Sequence, residues 1–318
     1  MVEYGDILKA RDRISDRLGP TPIIDDLVLS DRLRRKVRLK GELFQRTGSF
    51  KARGALNWVF SARREELERG LGAVSAGNHG IALAWAAGTA GVPVTVVMPE
   101  NASPAKVEAT RALGAEVILE GDVNQAWALM DKLVAERGLT LVHPYDDARI
   151  IAGQGTTGLE IINQVPRAGT ILCPVGGGGL LAGLAIAARQ RRPDIRIIGV
   201  EPAGAPTLLR AWQENSPVTL EGMNTIAASL GANRAGKLTL ELTREYADTL
   251  VTVSDTSIRK AMTHLREHCK LVAEPGAATA MAALLDNSAV PHLSEKGDIM
   301  VVITGGNLSG EELKEVLG

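Results

Sequence analysis

The segment TGSFKARGAL, residues 47–56, sets Lys51 directly behind Gly48, Ser49 and Phe50 and just ahead of Arg53 and Gly54. Partial burial near apolar groups lowers a lysine pKa, so small and apolar neighbours raise the question of what this amine does. Taken alone, the same lysine reads better as a solvated residue at a helix start. Three glycine turns elsewhere supply partners for it. In CPVGGGGLLAG, Gly176, Gly177, Gly178 and Gly179 separate a strand from a helix, where free N–H groups and the helix dipole favour a phosphate. In SAGNHG, Ser75, Ala76, Gly77, Asn78 and His79 combine a hydroxyl, an amide and backbone N–H groups suited to a carboxylate. His79 invites a general-base reading, but a loop histidine with no visible carboxylate partner reads better as a positioning or solvated residue. In VVITGGN, Thr304 ends an apolar strand and offers one hydroxyl.

These residues need a frame, and the chain supplies one. Apolar β-rich runs alternate with Ala/Leu-rich helical runs: GAVS then GIALAWAAGTAG, VPVTVVMP then SPAKVEATRALG, AEVILEG then VNQAWALMDKLVAERG, TILCPVG then LLAGLAIAARQ. That alternation predicts an α/β fold of mostly parallel sheets flanked by helices. Ligands of such sheets bind beyond the carboxyl ends of the strands, where the glycine turns fall. The order of units predicts two lobes, a large one from residues 1–60 and 147–318 and a small one from 61–146 inserted in it. Near the C-terminus, SGEEL offers Ser309 and Glu312 as a capping box for a last helix.

Composition narrows the partners. The chain has 318 residues, 45% hydrophobic, with a formal net charge of −1. Interspersed charges near neutrality argue against nucleic acid or an anionic membrane as partner and favour a small molecule. Only Cys173 and Cys269 occur, far apart, so neither a disulfide framework nor a thiolate metal site is expected. The charged N-terminal stretch lacks the apolar region of a signal peptide, and a cytoplasmic protein is expected. Residues 168–188 carry no charge, yet Pro174 and four consecutive glycines break the stretch into a strand, a turn and a buried helix rather than a membrane span. An enzyme of this size and type is expected to be a homodimer.

One rival stays open on the glycine motif alone. Gly177, Gly179 and Ala182 satisfy GxGxxA, and Glu201 closes the next strand where a dinucleotide site places its ribose acid. A nicotinamide-dependent oxidoreductase, however, gives no role to residues 47–56 or to the other two turns. A non-catalytic protein that kept the motifs is the third possibility.

The motifs GSFKARGA, SAGNHG, HPYDDARIIAGQGT, PVGGGGLLAG and TGGN occur in an order and spacing that resembles the threonine dehydratase and serine racemase group of pyridoxal phosphate enzymes. The resemblance runs from about residue 15 to 310 and implies the two-lobed tryptophan-synthase-β-like fold. It implies that Lys51 carries pyridoxal 5'-phosphate as an imine, with Phe50 near the ring. It assigns the cofactor phosphate to Gly176, Gly177, Gly178 and Gly179, the phenolic oxygen to Asn78 and the pyridine nitrogen to Thr304. Ser75, Ala76, Gly77, Asn78 and His79 then frame the amino-acid substrate. A hydroxyl at the ring nitrogen cannot enforce protonation as an aspartate would, so elimination is favoured over transamination. The implied activity is an ammonia-lyase that removes water from a β-hydroxy amino acid, with racemisation and 3-hydroxyaspartate cleavage as alternatives within the group.

Three positions depart from the group's pattern. Racemases carry a serine where this chain has Ala76, so racemisation is expected to be weak or absent. The group's divalent-cation site aligns with Glu201, Ala205 and Thr207, one carboxylate short, so no tightly bound divalent metal is expected. Ala228 and Ser229 stand where an aspartate and a glycine are common, in a loop expected to face the cofactor, which leaves the identity of the β-hydroxy amino acid open.

Overall fold

The computed structural model describes residues 1–317. Ten strands form two sheets. The larger has the order β1-β2-β10-β7-β8-β9, built from β1 (Ile23–Asp26), β2 (Val37–Gly41), β7 (Ala168–Pro174), β8 (Arg196–Pro202), β9 (Thr249–Val253) and β10 (Asp298–Ile303). The smaller has the order β5-β4-β3-β6, from β3 (Leu71–Val74), β4 (Val94–Met98), β5 (Glu116–Leu119) and β6 (Thr140–Leu141). Only β1 pairs antiparallel, with β2; every other pairing is parallel.

Every residue of β3, β4, β7 and β10 is buried. Parallel strands covered by helices on both faces need such unbroken apolar runs, and that is why these four are conspicuous in the sequence. The edge strands β5 and β6 are only partly buried and carry a weaker signal.

Register sets where the chemistry falls. On β10, Val301 lies opposite Leu39 of β2 on one side and Leu172 of β7 on the other. The carboxyl ends of β2, β10 and β7 therefore stand side by side. From them leave the segment leading to Lys51, Thr304 and the glycine turn, which shares that edge of the sheet.

Two devices hold the helices that carry these groups. Helices Ala148–Gln164 and Gly179–Arg191 cross backbone against backbone: a Cβ on Gly155 would stand 2.9 Å from the Gly183 carbonyl. A side chain there would push the glycine-turn helix outward. The helix Lys51–Ser61 is tied down through Arg53, 1% exposed, which pairs with Glu42 at 2.8 Å and Glu160 at 2.6 Å. Lys40 adds a third buried pair, to Glu160 at 2.6 Å. Buried charges of this kind are costly unless mutually paired, so the network fixes geometry more than it adds stability.

The expected capping box is present: Ser309 N–H donates to Glu312 Oε2 at 2.6 Å and Glu312 N–H to Ser309 Oγ at 3.1 Å, opening helix Gly310–Leu317. Residues 168–188 resolve into β7, the turn and the following helix, and no helix among the described residues is long and apolar enough to cross a membrane. Cys173 is buried in β7, whereas Cys269 shares a cluster with Asp26 and His264 whose ligand atoms lie within 4.8 Å of one another. Spacing could not reveal this grouping. Asp26 accepts there from Leu29 N–H at 2.9 Å and His264 Nε2 at 2.7 Å, tying β1 to helix Asp255–Cys269.

Candidate active site

Lys51 begins its helix with two residues between it and a tight turn, Arg46–Gly48, in which Thr47 takes a left-handed φ of 63°. The turn is pinned to β10's exit, because Phe50 N–H donates to the Thr304 carbonyl at 3.0 Å and Ser49 bridges Gly305. The Lys51 amine donates to the Pro144 carbonyl at 2.7 Å and lies 5.3 Å from the centre of the Phe50 ring. Burial pushes its pKa down to about 8, opposed only by the Glu274 carboxyl. The desolvation that the sequence predicts is thus realised.

A cavity of about 380 Å³ opens around the amine, lined by Phe50, Ser75–His79, Gly176–Gly179 and Thr304 among others. Every sequence-predicted site residue borders this one space. It lies between the carboxyl ends of both sheets, as open α/β architecture requires.

The glycine turn leads into helix Gly179–Arg191, with Gly178 as N-cap at φ 86°. A Cβ on Gly177 would run into the Tyr145 ring, and one on Gly176 would stand 2.9 Å from the Leu230 carbonyl. A tight turn by itself needs only one or two glycines. Packing against Tyr145 and Leu230 accounts for more of them. Tyr145 is itself held, donating from its hydroxyl to the Arg234 carbonyl at 2.7 Å and meeting His143 edge-on at 4.6 Å.

In the second turn Ser75 Oγ accepts from Gly77 N–H at 3.3 Å and Gly80 N–H at 3.1 Å, which leaves its own hydrogen free for a ligand. Helix Asn78–Ala90 starts there, directing the first-turn N–H groups at the cavity. His79 turns its ring away: it is buried with Nε2 3.0 Å from the Val142 carbonyl, and burial, with Lys51 nearby, pushes its pKa down to about 3. A neutral, buried imidazole suits a positioning role and not a general base.

One residue of the cavity wall, Glu274, and one behind it, Asn307, escaped sequence reasoning. Glu274, 2% exposed, accepts from Asn78 Nδ2 at 2.7 Å through Oε1, and the Ser229 hydroxyl lies beside its carboxyl. Burial raises its pKa to about 7. Asn307 donates to Asn78 Oδ1 at 2.8 Å and to the Thr47 carbonyl at 2.7 Å. Asn307 closes the TGGN motif and was within reach; Glu274, next to the helix-opening Pro275, carried no such signal.

The dinucleotide reading loses its acid. Glu201 is fully buried, and its two carboxylate oxygens accept from Leu208 and Leu209 N–H, each at 2.8 Å. It caps helix Thr207–Glu214 and cannot reach a ribose. The same engagement occupies the one carboxylate of the expected metal-site remnant, where Ala205 is buried and Thr207 donates to the Ala232 carbonyl at 2.6 Å.

The residues present fit pyridoxal phosphate. An amine with a depressed pKa suits its aldehyde, a glycine-rimmed helix N-terminus suits its phosphate, and the Asn78–Glu274 pair gives the cavity a polar wall. Residues 14–305 match the family described as pyridoxal-phosphate dependent enzyme. The chain belongs to that family. This pyridoxal-phosphate dependent enzyme is 41% identical, over its full length and 78% of the relative's, to an L-threonine ammonia-lyase of Geobacter sulfurreducens. It is 38% identical to an L-threo-3-hydroxyaspartate ammonia-lyase of Saccharomyces cerevisiae, covering 96% of this chain and 93% of the relative. Among solved structures, maize serine racemase superposes with a TM-score of 0.93 at 34% identity, covering 99% of this chain and 97% of that one. The family and the α/β architecture are those that the sequence motifs imply.

Proposed function

We propose that this protein is an ammonia-lyase that removes water from a β-hydroxy amino acid of the threonine or serine type, giving a 2-oxo acid and ammonia. The observation that carries the reading is the Lys51 amine, desolvated and facing both the Ser75–Asn78 turn and the Gly176–Gly179 turn across one cavity. Full-length similarity to the Geobacter ammonia-lyase supports it.

Bound pyridoxal phosphate supplies the carbonyl for exchange with the substrate amine and a ring that takes up electrons released at Cα. This chain's residues do the rest. Gly176–Gly179 would hold the phosphate, Asn78 and Thr304 would orient the ring, and Phe50 would lie near it. Ser75, Gly77 and the N–H groups opening helix Asn78–Ala90 receive the substrate carboxylate, with His79 held as packing behind them. Lys51 Nζ then takes the Cα proton, a task that a pKa of about 8 suits at neutral pH. Ala76 offers no hydroxyl, so no base waits on the opposite face and racemisation is disfavoured.

One observation favours a dicarboxylate among the candidate substrates. Lys106 also lines the cavity, its side chain 12% exposed and 3.8 Å from Glu312, and it offers a cation for the second carboxylate of 3-hydroxyaspartate. Ala228 and Ser229 line the same wall. The lobes divide at residues 1–60 with 147–318 against 61–146, and the functional unit is a cytoplasmic homodimer.

A keto-acid assay over threonine, serine and threo-3-hydroxyaspartate tests the proposal. Release of oxo acid with equimolar ammonia from at least one of them is expected, falling by about 10³-fold or more in Lys51→Ala. Turnover undiminished in Lys51→Ala, or none with any of the three, contradicts it.

A further inference from the structure

The amino ends of β2, β10 and β7 form a second cleft, of about 380 Å³, at the opposite edge of the sheet from the active site. Arg34, Arg35, Lys36, Arg38 and Arg167 line it, against Glu295 and Asp298 as the acids. A local excess of three positive charges in a chain whose net charge is −1 is not a consequence of composition.

The five cations are not equivalent. Arg35 is structural: its guanidinium donates to the carbonyls of Ser294 at 2.5 Å, Lys296 at 3.2 Å and Gly297 at 2.6 Å, fixing the floor of the cleft. Arg38 is neutralised between Asp25 at 3.2 Å and Asp298 at 3.4 Å. Arg34, Lys36 and Arg167 have exposed side chains, and none of the three has an acidic partner among the described residues. Their backbones are held rigidly, since Ile299 N–H donates to the Lys36 carbonyl at 2.8 Å and Asp298 N–H to the Arg167 carbonyl at 2.8 Å. Three unpaired like charges converge on one preformed cleft. Their mutual repulsion is relieved by a multiply charged anion, and guanidinium groups match phosphate oxygens in paired hydrogen bonds.

We propose that this cleft binds a small anion carrying two or more phosphate groups. Among the described residues Val165 and Pro166 are its only apolar lining residues and no aromatic ring lines it, so it offers no stacking platform for a nucleobase. Recognition rests on the phosphates. β10 and β7 run from this cleft to Thr304 and the glycine turn, so the site is placed to act on the cofactor's surroundings from behind.

Calorimetric titration of the cofactor-loaded enzyme with inorganic diphosphate tests this, because pyridoxal phosphate then occupies the glycine turn. A fructose bisphosphate arm separates an organic from an inorganic source, and sulfate at equal ionic strength reads generic screening. Saturable binding of one diphosphate or bisphosphate per chain is expected, with Kd below about 1 mM. It should weaken at least about tenfold in the double variant Arg34→Glu, Arg167→Glu, whose side chains hold no structural bonds, while basal turnover and melting temperature are retained. Single variants Arg34→Gln and Arg167→Gln serve if the double variant misfolds. No saturable binding at about 5 mM, equal affinity for sulfate, or unchanged affinity in the variants would overturn the proposal.

Discussion

Asn78 donates from Nδ2 to Glu274 Oε1 at 2.7 Å and accepts at Oδ1 from Asn307 at 2.8 Å, so both ends of one amide are locked. The bonds join the first helical residue after β3 of the small sheet to two loops flanking the large one. One Nδ2 hydrogen is left over, and the cofactor's phenolic oxygen is the partner proposed for it. Glu274 is the charged member of this chain of contacts.

Replacing Glu274 by Gln keeps an acceptor for Asn78 and removes the charge. The wild-type carboxyl ionises near 4.5 when unfolded and near 7 when folded, so folded protein binds the extra proton between those values. Stability attributable to this group is therefore lost as pH rises from about 4.5 to 7, by roughly 3 kcal/mol at most. Urea melts at pH 5 and pH 8 should show that decline in the wild type and a smaller one in Glu274→Gln. Identical pH slopes would place the ionisation elsewhere.

Lys51 makes a kinetic prediction of opposite sense. With a pKa near 8, its neutral fraction rises about tenfold between pH 7 and 9 and then levels off. Association of pyridoxal phosphate with cofactor-free protein, followed by absorbance, should accelerate over that range and plateau. A rate that continues to climb tenfold per unit beyond pH 9 would mean an ordinary, solvated lysine.

Ala76 lies beside Ser75 with no polar atom on its side chain. Ala76→Ser should introduce measurable conversion of L-serine to D-serine, resolved by chiral chromatography, where the wild type shows only elimination. Racemisation by the wild type at a rate comparable to elimination would remove the role given to this position.

Much of the site is legible in the sequence because each motif follows a strand's carboxyl end, where α/β folds gather their ligands. SAGNHG follows β3, the glycine turn β7 and TGGN β10, and parallel pairing does the rest. What stayed hidden depends on contacts distant in sequence. Asn78 meets Glu274 across 196 residues and Asn307 across 229, separations that no local pattern encodes. Glu201 shows the converse: its strand-end position suits a ribose acid or a metal ligand, but the N-terminus of helix Thr207–Glu214 takes both its oxygens. Tyr145 sits within a quoted motif, yet its packing against Gly177 emerges only once the two turns meet.

The covalent position of the cofactor is the point on which the account turns. Borohydride reduction of the purified, cofactor-loaded enzyme, followed by proteolysis and peptide mass mapping, reads it directly. A pyridoxyl group on Lys51, in the peptide containing GSFK, is the predicted result; its presence on another lysine, or on none, contradicts the account.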